Sequence, residues 1–231
     1  MPTNTPAGAT AVAPTPLYAL WRNKKRRFAL LAAIAASASL LTLALQPAPV
    51  VDLAEDNHMH ESGLPASWRE GEVVVLVRHA ERCDRSSNPC LGNDEGITIA
   101  GNESADEVGD AFKALGLSNA DIFSSPVLRT VQTAASMFDI NIATQDWLAG
   151  CRKNLKQNML NHKQAQRNLL LVTHSGCIES VANALNTSGA EYDSEYTSAL
   201  FVSVDKQSGR PRLLGYLNAE GLERITHKSR S

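Results

Sequence analysis

Apolar residues recur along this chain in several rhythms, and each predicts a different kind of element. Residues 28–45 are an almost unbroken apolar run whose only polar members are Ser37, Ser39 and Thr42. Eighteen helical residues rise roughly 27 Å, just enough to cross a hydrocarbon core. From residue 72 the rhythm changes. Residues 73–77 form a short continuous apolar run, as expected for a strand buried on both faces. Residues 100–115 place Ala105, Val108, Ala111, Phe112 and Leu115 at helical spacing, with Gly116 as a stop. The same reading predicts a strand at 120–123, a helix at 127–138, a polar helix at 152–166 and a buried strand at 169–172. A helix at 178–185 follows, then strands at 199–204 and 212–217 joined by a turn at 207–211.

Strands alternating with helices predict a three-layer α/β/α sandwich with a mostly parallel central sheet. The expected organisation is a disordered basic tail at 1–27, a membrane-spanning signal-anchor or signal peptide at 28–45, a polar linker at 46–70, and one domain at 71–231. In the linker, His58, Met59 and His60 read as solvated chain. No internal repeat is visible.

Charge sharpens this division. The cluster Arg22, Lys24, Lys25, Arg26 and Arg27 precedes the apolar run, which predicts a cytoplasmic N-terminus and an exported body. The sole small-residue cleavage site, around Ala44, is weak, so an anchor retained in the inner membrane is preferred over a cleaved leader. The 22 Lys and Arg against 24 Asp and Glu give a net charge of −2. Five of the basic residues and none of the acids lie in residues 1–50, leaving −7 on the remainder. Such a body is a poor nucleic-acid partner, because that affinity comes from neutralising phosphates. A phosphate site here must be a local pocket. Four cysteines, Cys83, Cys90, Cys151 and Cys177, can pair in an oxidising compartment. Of three connectivities, Cys83–Cys90 with Cys151–Cys177 is preferred, since the first closes a short loop. No C-x-x-C pair suggests zinc.

The chemistry-bearing residues sit at predicted strand ends, where open α/β sheets place ligands. Val77, Arg78, His79 and Ala80 close the first strand. Ser124, Ser125 and Arg129, with Thr133 beyond, follow the second. Thr173, His174, Ser175 and Gly176 follow the strand at 169–172. Competing phosphatase chemistries lack their residues. The position six after each Cys holds Pro89, Gly96, Gln157 or Asn183 in place of Arg, and Asp-x-Asp, G-x-S-x-G and Walker patterns are missing.

Taken together, these three segments, in this order, resemble the histidine phosphatase superfamily, also called phosphoglycerate mutase-like, over residues 71–205. The resemblance implies a phosphohistidine mechanism. His79 would be the nucleophile, Arg78 and Arg129 would clamp the phosphoryl oxygens, and His174 would donate to the same oxygens. No metal or other cofactor is implied. Many members place a Glu where this chain has Ala149, and others an Asp where it has Ser175. The expected general acid is therefore Glu81, on the same loop as His79, with Asp84 and Glu195 as further carboxylates. The segment Glu81 to Asn88, bounded by cysteines, and Cys177 close behind His174 resemble periplasmic phosphatases acting on a heptose of the lipopolysaccharide core. That branch implies an envelope sugar phosphate as substrate. Arg82 and Arg85 are then either anionic-glycan ligands or exposed salt-bridge partners. A phosphohistidine-protein phosphatase and a non-catalytic phosphoglycan-binding module are the alternatives.

Overall fold

The computed structural model describes residues 24, 27–32, 34–35, 49–150, 154–185 and 192–229. The chain divides into two units, residues 1–46 and 47–231. In the first, the described residues are helical, with Phe28, Leu30, Leu31 and Ile34 exposed. No helix among the described residues is long and apolar enough to cross a membrane. Most of the expected tail and much of the expected span lie outside the described residues.

The second unit is built on a five-stranded sheet. Its strands are β1 (Val73–Arg78), β2 (Ala120–Ser124), β3 (Asn168–Thr173), β4 (Ala199–Val204) and β5 (Pro211–Leu217), in the order β2-β3-β1-β4-β5. β1, β2 and β3 are parallel, and β4 is antiparallel to both β1 and β5. The helices are α1 (His58–Glu61), α2 (Leu64–Arg69), α3 (Ile99–Leu115), α4 (Leu128–Phe138), α5 (Leu155–His162), α6 (Ser175–Leu185) and α7 (Ala219–Ser229).

β1 shows why three layers form. Its side chains alternate between two faces, and both faces are buried. Val73, Val75 and Val77 join a core made with Val108 and Phe112 of α3, Met137 of α4 and Leu222 of α7. Val74 and Leu76 join a second core with Leu155 and Met159 of α5 and Ile178 and Val181 of α6. Gly109 lets α3 lie tightly on α4, because a Cβ there would fall 2.1 Å from the Met137 carbonyl oxygen. That contact fixes the helix carrying Arg129.

Within the stretch expected as a linker, 46–70, the described residues from 50 onward contribute to the core. Leu53, Leu64 and Trp68 are buried in the first core, and Met59 packs against it. The Trp68 indole N–H donates to the Leu115 carbonyl at 2.9 Å, while Asn168 Nδ2 donates to the Trp68 carbonyl at 2.8 Å. His58, expected to be solvated, meets the Asp52 carbonyl through Nδ1 at 2.8 Å. Few apolar residues in a polar stretch suffice here, because each one is large and fully inserted. Val51 and Leu53 also bond the backbone of Tyr216 on the outer edge of β5, each at 2.9 Å. The far edge, β2, is met by Ala143 and Gln145, which bond Ser124 at 3.1 and 2.8 Å.

One expected boundary shifts, and one helix was not expected. The polar helix expected at 152–166 is α5, ending at His162, and Gln166 turns the chain with a φ of 57°. α7 went unrecognised in the sequence.

Candidate active site

The parallel strands β1, β2 and β3 deliver their carboxyl ends to one rim, and the backbone there is fully tied down. His79 N–H donates to the Thr173 carbonyl at 3.0 Å, Arg78 N–H to the Ser198 carbonyl at 3.0 Å, and Ser125 N–H to the Val172 carbonyl at 2.9 Å. A cavity of about 470 Å³ opens above them, lined among others by Arg78, His79, Arg82, Arg85, Arg129 and His174. Ser175 and Gly176 at the start of α6 also line it, and a helix start offers unsatisfied N–H groups to an anion.

His79 is buried, 4% exposed. Its Nδ1 donates to the Ala80 carbonyl at 2.8 Å, which leaves Nε2 unprotonated, as an acceptor. Arg129 Nε donates to that Nε2 at 3.2 Å. Burial above all, with the charges of Arg129, His174 and Arg78, pushes the imidazole pKa down from 6.5 to about 3; the bond to Ala80 works against them. His174 lies 5.5 Å away, ring to ring. Its Nδ1 accepts from Arg129 Nη2 at 3.2 Å, so Nε2 carries the proton and donates to Ser125 Oγ at 3.0 Å. Burial first, then Arg129 and Arg82, lower its pKa to about 4. Two neutral imidazoles thus share one guanidinium.

Arg78 is held differently. Its Nη1 donates to the Ser194 carbonyl, and its Cζ lies 4.0 Å from the centre of the Tyr196 ring. Its Nε is buried and has no partner. A buried donor without an acceptor is costly.

The family model of the histidine phosphatase superfamily (branch 1) matches residues 74–150. A lipopolysaccharide core heptose(II)-phosphate phosphatase of Salmonella paratyphi A is 32% identical over 179 residues, covering 72% of this chain and 87% of that protein. The chain belongs to the histidine phosphatase superfamily. A protein of the same description from Salmonella typhi is 34% identical over 167 residues, 68% of this chain and 82% of its own. Among solved structures, a phosphoserine phosphatase mutant from Entamoeba histolytica bound to phosphoserine superposes with a TM-score of 0.51 at 16% identity. It covers 65% of this chain and 98% of its own. The protein histidine phosphatase SixA complexed with tungstate also scores 0.51 at 16% identity, over 65% and 99%. Those two likenesses concern the fold.

In this histidine phosphatase the structure brings together Arg78, His79, Arg129 and His174, and adds Arg82 and Arg85 at the cavity wall. It does not bring Glu81 there. The Glu81 carboxylate accepts from Asn88 Nδ2 at 2.9 Å and Thr98 Oγ1 at 2.7 Å. Those two bonds hold its pKa below the usual carboxylate range, the opposite of what a general acid needs. Its place beside His79 in sequence says nothing of its direction in space. Asp84 is paired with Arg82, and Glu195 lines a different, smaller cavity. Ala149 does line the site, so the position where relatives of this superfamily carry a Glu faces the cavity without one. Among the described lining residues none is acidic.

Cys83 is bonded to Cys90, with their Cα atoms 5.2 Å apart. Cys177 is disulfide-bonded as well; its expected partner, Cys151, lies outside the described residues. Among these residues no group of three His, Cys, Asp or Glu is placed to hold a metal.

Two contributors were named in the sequence without a role, and a third, Tyr196, was not named. Ser125, fully buried, accepts the His174 proton. Thr133 Oγ1 accepts from Ala80 N–H at 2.9 Å and donates to the Arg129 carbonyl at 2.7 Å, joining the nucleophile loop to α4. Tyr196 stacks on Arg78 and lies 5.7 Å from the His79 ring. Both Ser125 and Thr133 fall inside the recognised segment around Arg129, so their positions were available. Tyr196 carried no such signal. It precedes Thr197, a buried β-branched residue with a φ of 58°, a conformation uncommon for that side chain.

Proposed function

We propose that this phosphatase hydrolyses phosphomonoesters through a phosphohistidine on His79. The observation that carries the reading is the fixed tautomer: Nδ1–H is committed to Ala80 while the Nε2 lone pair faces the cavity cations. Nε2 attacks phosphorus, the P–O bond to the leaving group breaks, and the leaving oxygen takes a proton from water. Water then attacks phosphorus, the P–N bond breaks, neutral His79 returns and the proton goes back to solvent. Arg78 and Arg129 hold the equatorial oxygens, for which the orphaned Nε of Arg78 is a waiting donor. His174 gives a further hydrogen bond to these oxygens, from Nε2 in exchange for Ser125 or from Nδ1 once protonated.

The substrate we infer is a cell-envelope sugar phosphate, such as a heptose phosphate of the lipopolysaccharide core. The relatives' description and the Arg82 and Arg85 wall support it. Action in the periplasm, from an inner-membrane anchor, is supported by the disulfide between Cys83 and Cys90. The exposed apolar helix after a basic cluster is further support. The acid-free lining favours one second reading, a phosphohistidine-protein phosphatase, whose nitrogen leaving group needs less protonation.

The test is phosphate release from an aryl phosphate and from phosphorylated core, beside His79→Ala, with mass spectrometry of a rapidly quenched reaction. Turnover lost in His79→Ala and a phosphoryl adduct on His79 are expected. A wild type that binds phosphorylated core yet releases nothing would make the protein a binding module.

A further inference from the structure

The cavity holds more positive charge than one phosphate requires. Arg78 and Arg129 approach His79, yet Arg82 and Arg85 line the same space. The body around them is acidic overall, so the cluster is a local exception. Like charges gathered in one cavity raise its energy until an anion enters. The Arg129 guanidinium registers this crowding, since burial and then the charge of Arg82 lower its pKa, with Arg85 adding to the same effect.

The wall that carries the extra pair is unusually well built. Arg82 leads into a one-turn helix, Cys83–Arg85, closed from behind by the bond between Cys83 and Cys90. Isolated bridges join Arg82 to Ile97 and Cys90 to Thr98. Glu81, whose carboxylate grips Asn88 and Thr98, ties the two sides of the loop together. Arg82 gives Nε, at 2.7 Å, and Nη2 to Asp84. Arg85 is exposed, and its guanidinium makes no hydrogen bond or ion pair among the described residues. A flexible surface arginine needs no such scaffold.

We propose that Arg82 and Arg85 form a second anion subsite, so that the preferred substrate carries another phosphate or carboxylate beside the scissile phosphate. This rests on the reading of His79, Arg78 and Arg129 as the primary phosphate site. Arg85 supplies free donors, and Arg82, oriented by Asp84, supplies charge. Both are specificity-determining and take no part in bond making. An envelope glycan with clustered anionic groups has this chemistry, whereas a singly phosphorylated metabolite does not.

The test uses two sugars that differ only in the second anion, a hexose 6-phosphate and the same hexose 1,6-bisphosphate. Their binding is measured by calorimetry to full-length protein bearing His79→Ala, so that no turnover intervenes. The bisphosphate is expected to bind at least about tenfold tighter, the size of one charge-assisted hydrogen bond. Adding Arg85→Gln is expected to remove most of that gap, and Asp84→Asn, which releases two Arg82 donors, to widen it. Equal affinities for the two sugars, or a gap that survives Arg85→Gln, would overturn the subsite. Wild-type phosphate release is measured separately. If it is nil while the gap persists, the catalytic reading fails and the subsite stands.

Discussion

A buried neutral histidine must make this protein sensitive to mild acid in a way that can be calculated. The folded His79 imidazole has a pKa of about 3 against an ordinary 6.5. The folded value is the lower one, so as pH falls the unfolded chain takes up the proton first. Stability from this residue is therefore complete above pH 6.5 and is lost progressively toward pH 3. Between pH 7 and pH 5 the loss is about 2 kcal/mol. At pH 5 this figure hardly depends on how far below 5 the folded value lies, because the folded imidazole stays neutral in any case. His79 is almost wholly shielded from solvent, so no discount for screening applies. In His79→Gln the side chain cannot titrate and this part of the slope disappears, while the slope from His174 is common to both proteins. Urea unfolding at pH 5, 6 and 7, with the disulfides intact, measures the difference. If wild type and His79→Gln lose stability in parallel, His79 is not buried as a neutral base, and its readiness as a nucleophile at neutral pH loses its physical basis.

Other perturbations separate positioning from chemistry. Tyr196→Leu removes the ring beneath Arg78 and should lower kcat/KM about three- to thirtyfold, mainly through KM; rescue by Tyr196→Phe would show that the ring and not its hydroxyl matters. Ala149→Glu places a carboxyl at a cavity wall without one, and should raise the rate on alkyl phosphates relative to aryl phosphates by at least about tenfold. An unchanged ratio would mean that leaving-group protonation is not limiting. Trp68→Ala should cost about 3 to 5 kcal/mol in unfolding free energy, although the residue lies outside the region that resembles the superfamily. A loss below about 1 kcal/mol, within the ordinary range for surface changes, would return residues 50–70 to the status of a linker.

The site was legible where its residues are contiguous with strand ends. Arg78 and His79 follow five apolar residues, and His174 follows a buried strand, so hydropathy alone placed them at one rim. Helical phase likewise put Arg129 at the start of α4. Function was harder to read where it depends on direction. Glu81 lies two residues from His79, yet its carboxylate faces Asn88 and Thr98. Tyr196 lies more than a hundred residues from its Arg78 partner, brought to it by the antiparallel pairing of β1 with β4 and the bonds of Arg78 to the Ser194 and Ser198 carbonyls. Composition misled over residues 50–70, because Leu53, Leu64 and Trp68 are too sparse to form a recognisable period. For the fold, β1 and β3 were plain from continuous apolar runs, whereas α7 packs on the core through a few sparse residues, Leu222 with Ala219 and Ile225 among those described.

The pairing of residues 51–53 with Tyr216 has a consequence for how the protein comes into being. A strand edge left bare is a template for another chain, and here the cover for β5, at residues 51–53, is made well before β5 itself. Until both exist, the nascent sheet cannot be sealed, and distant pairings of this kind form slowly.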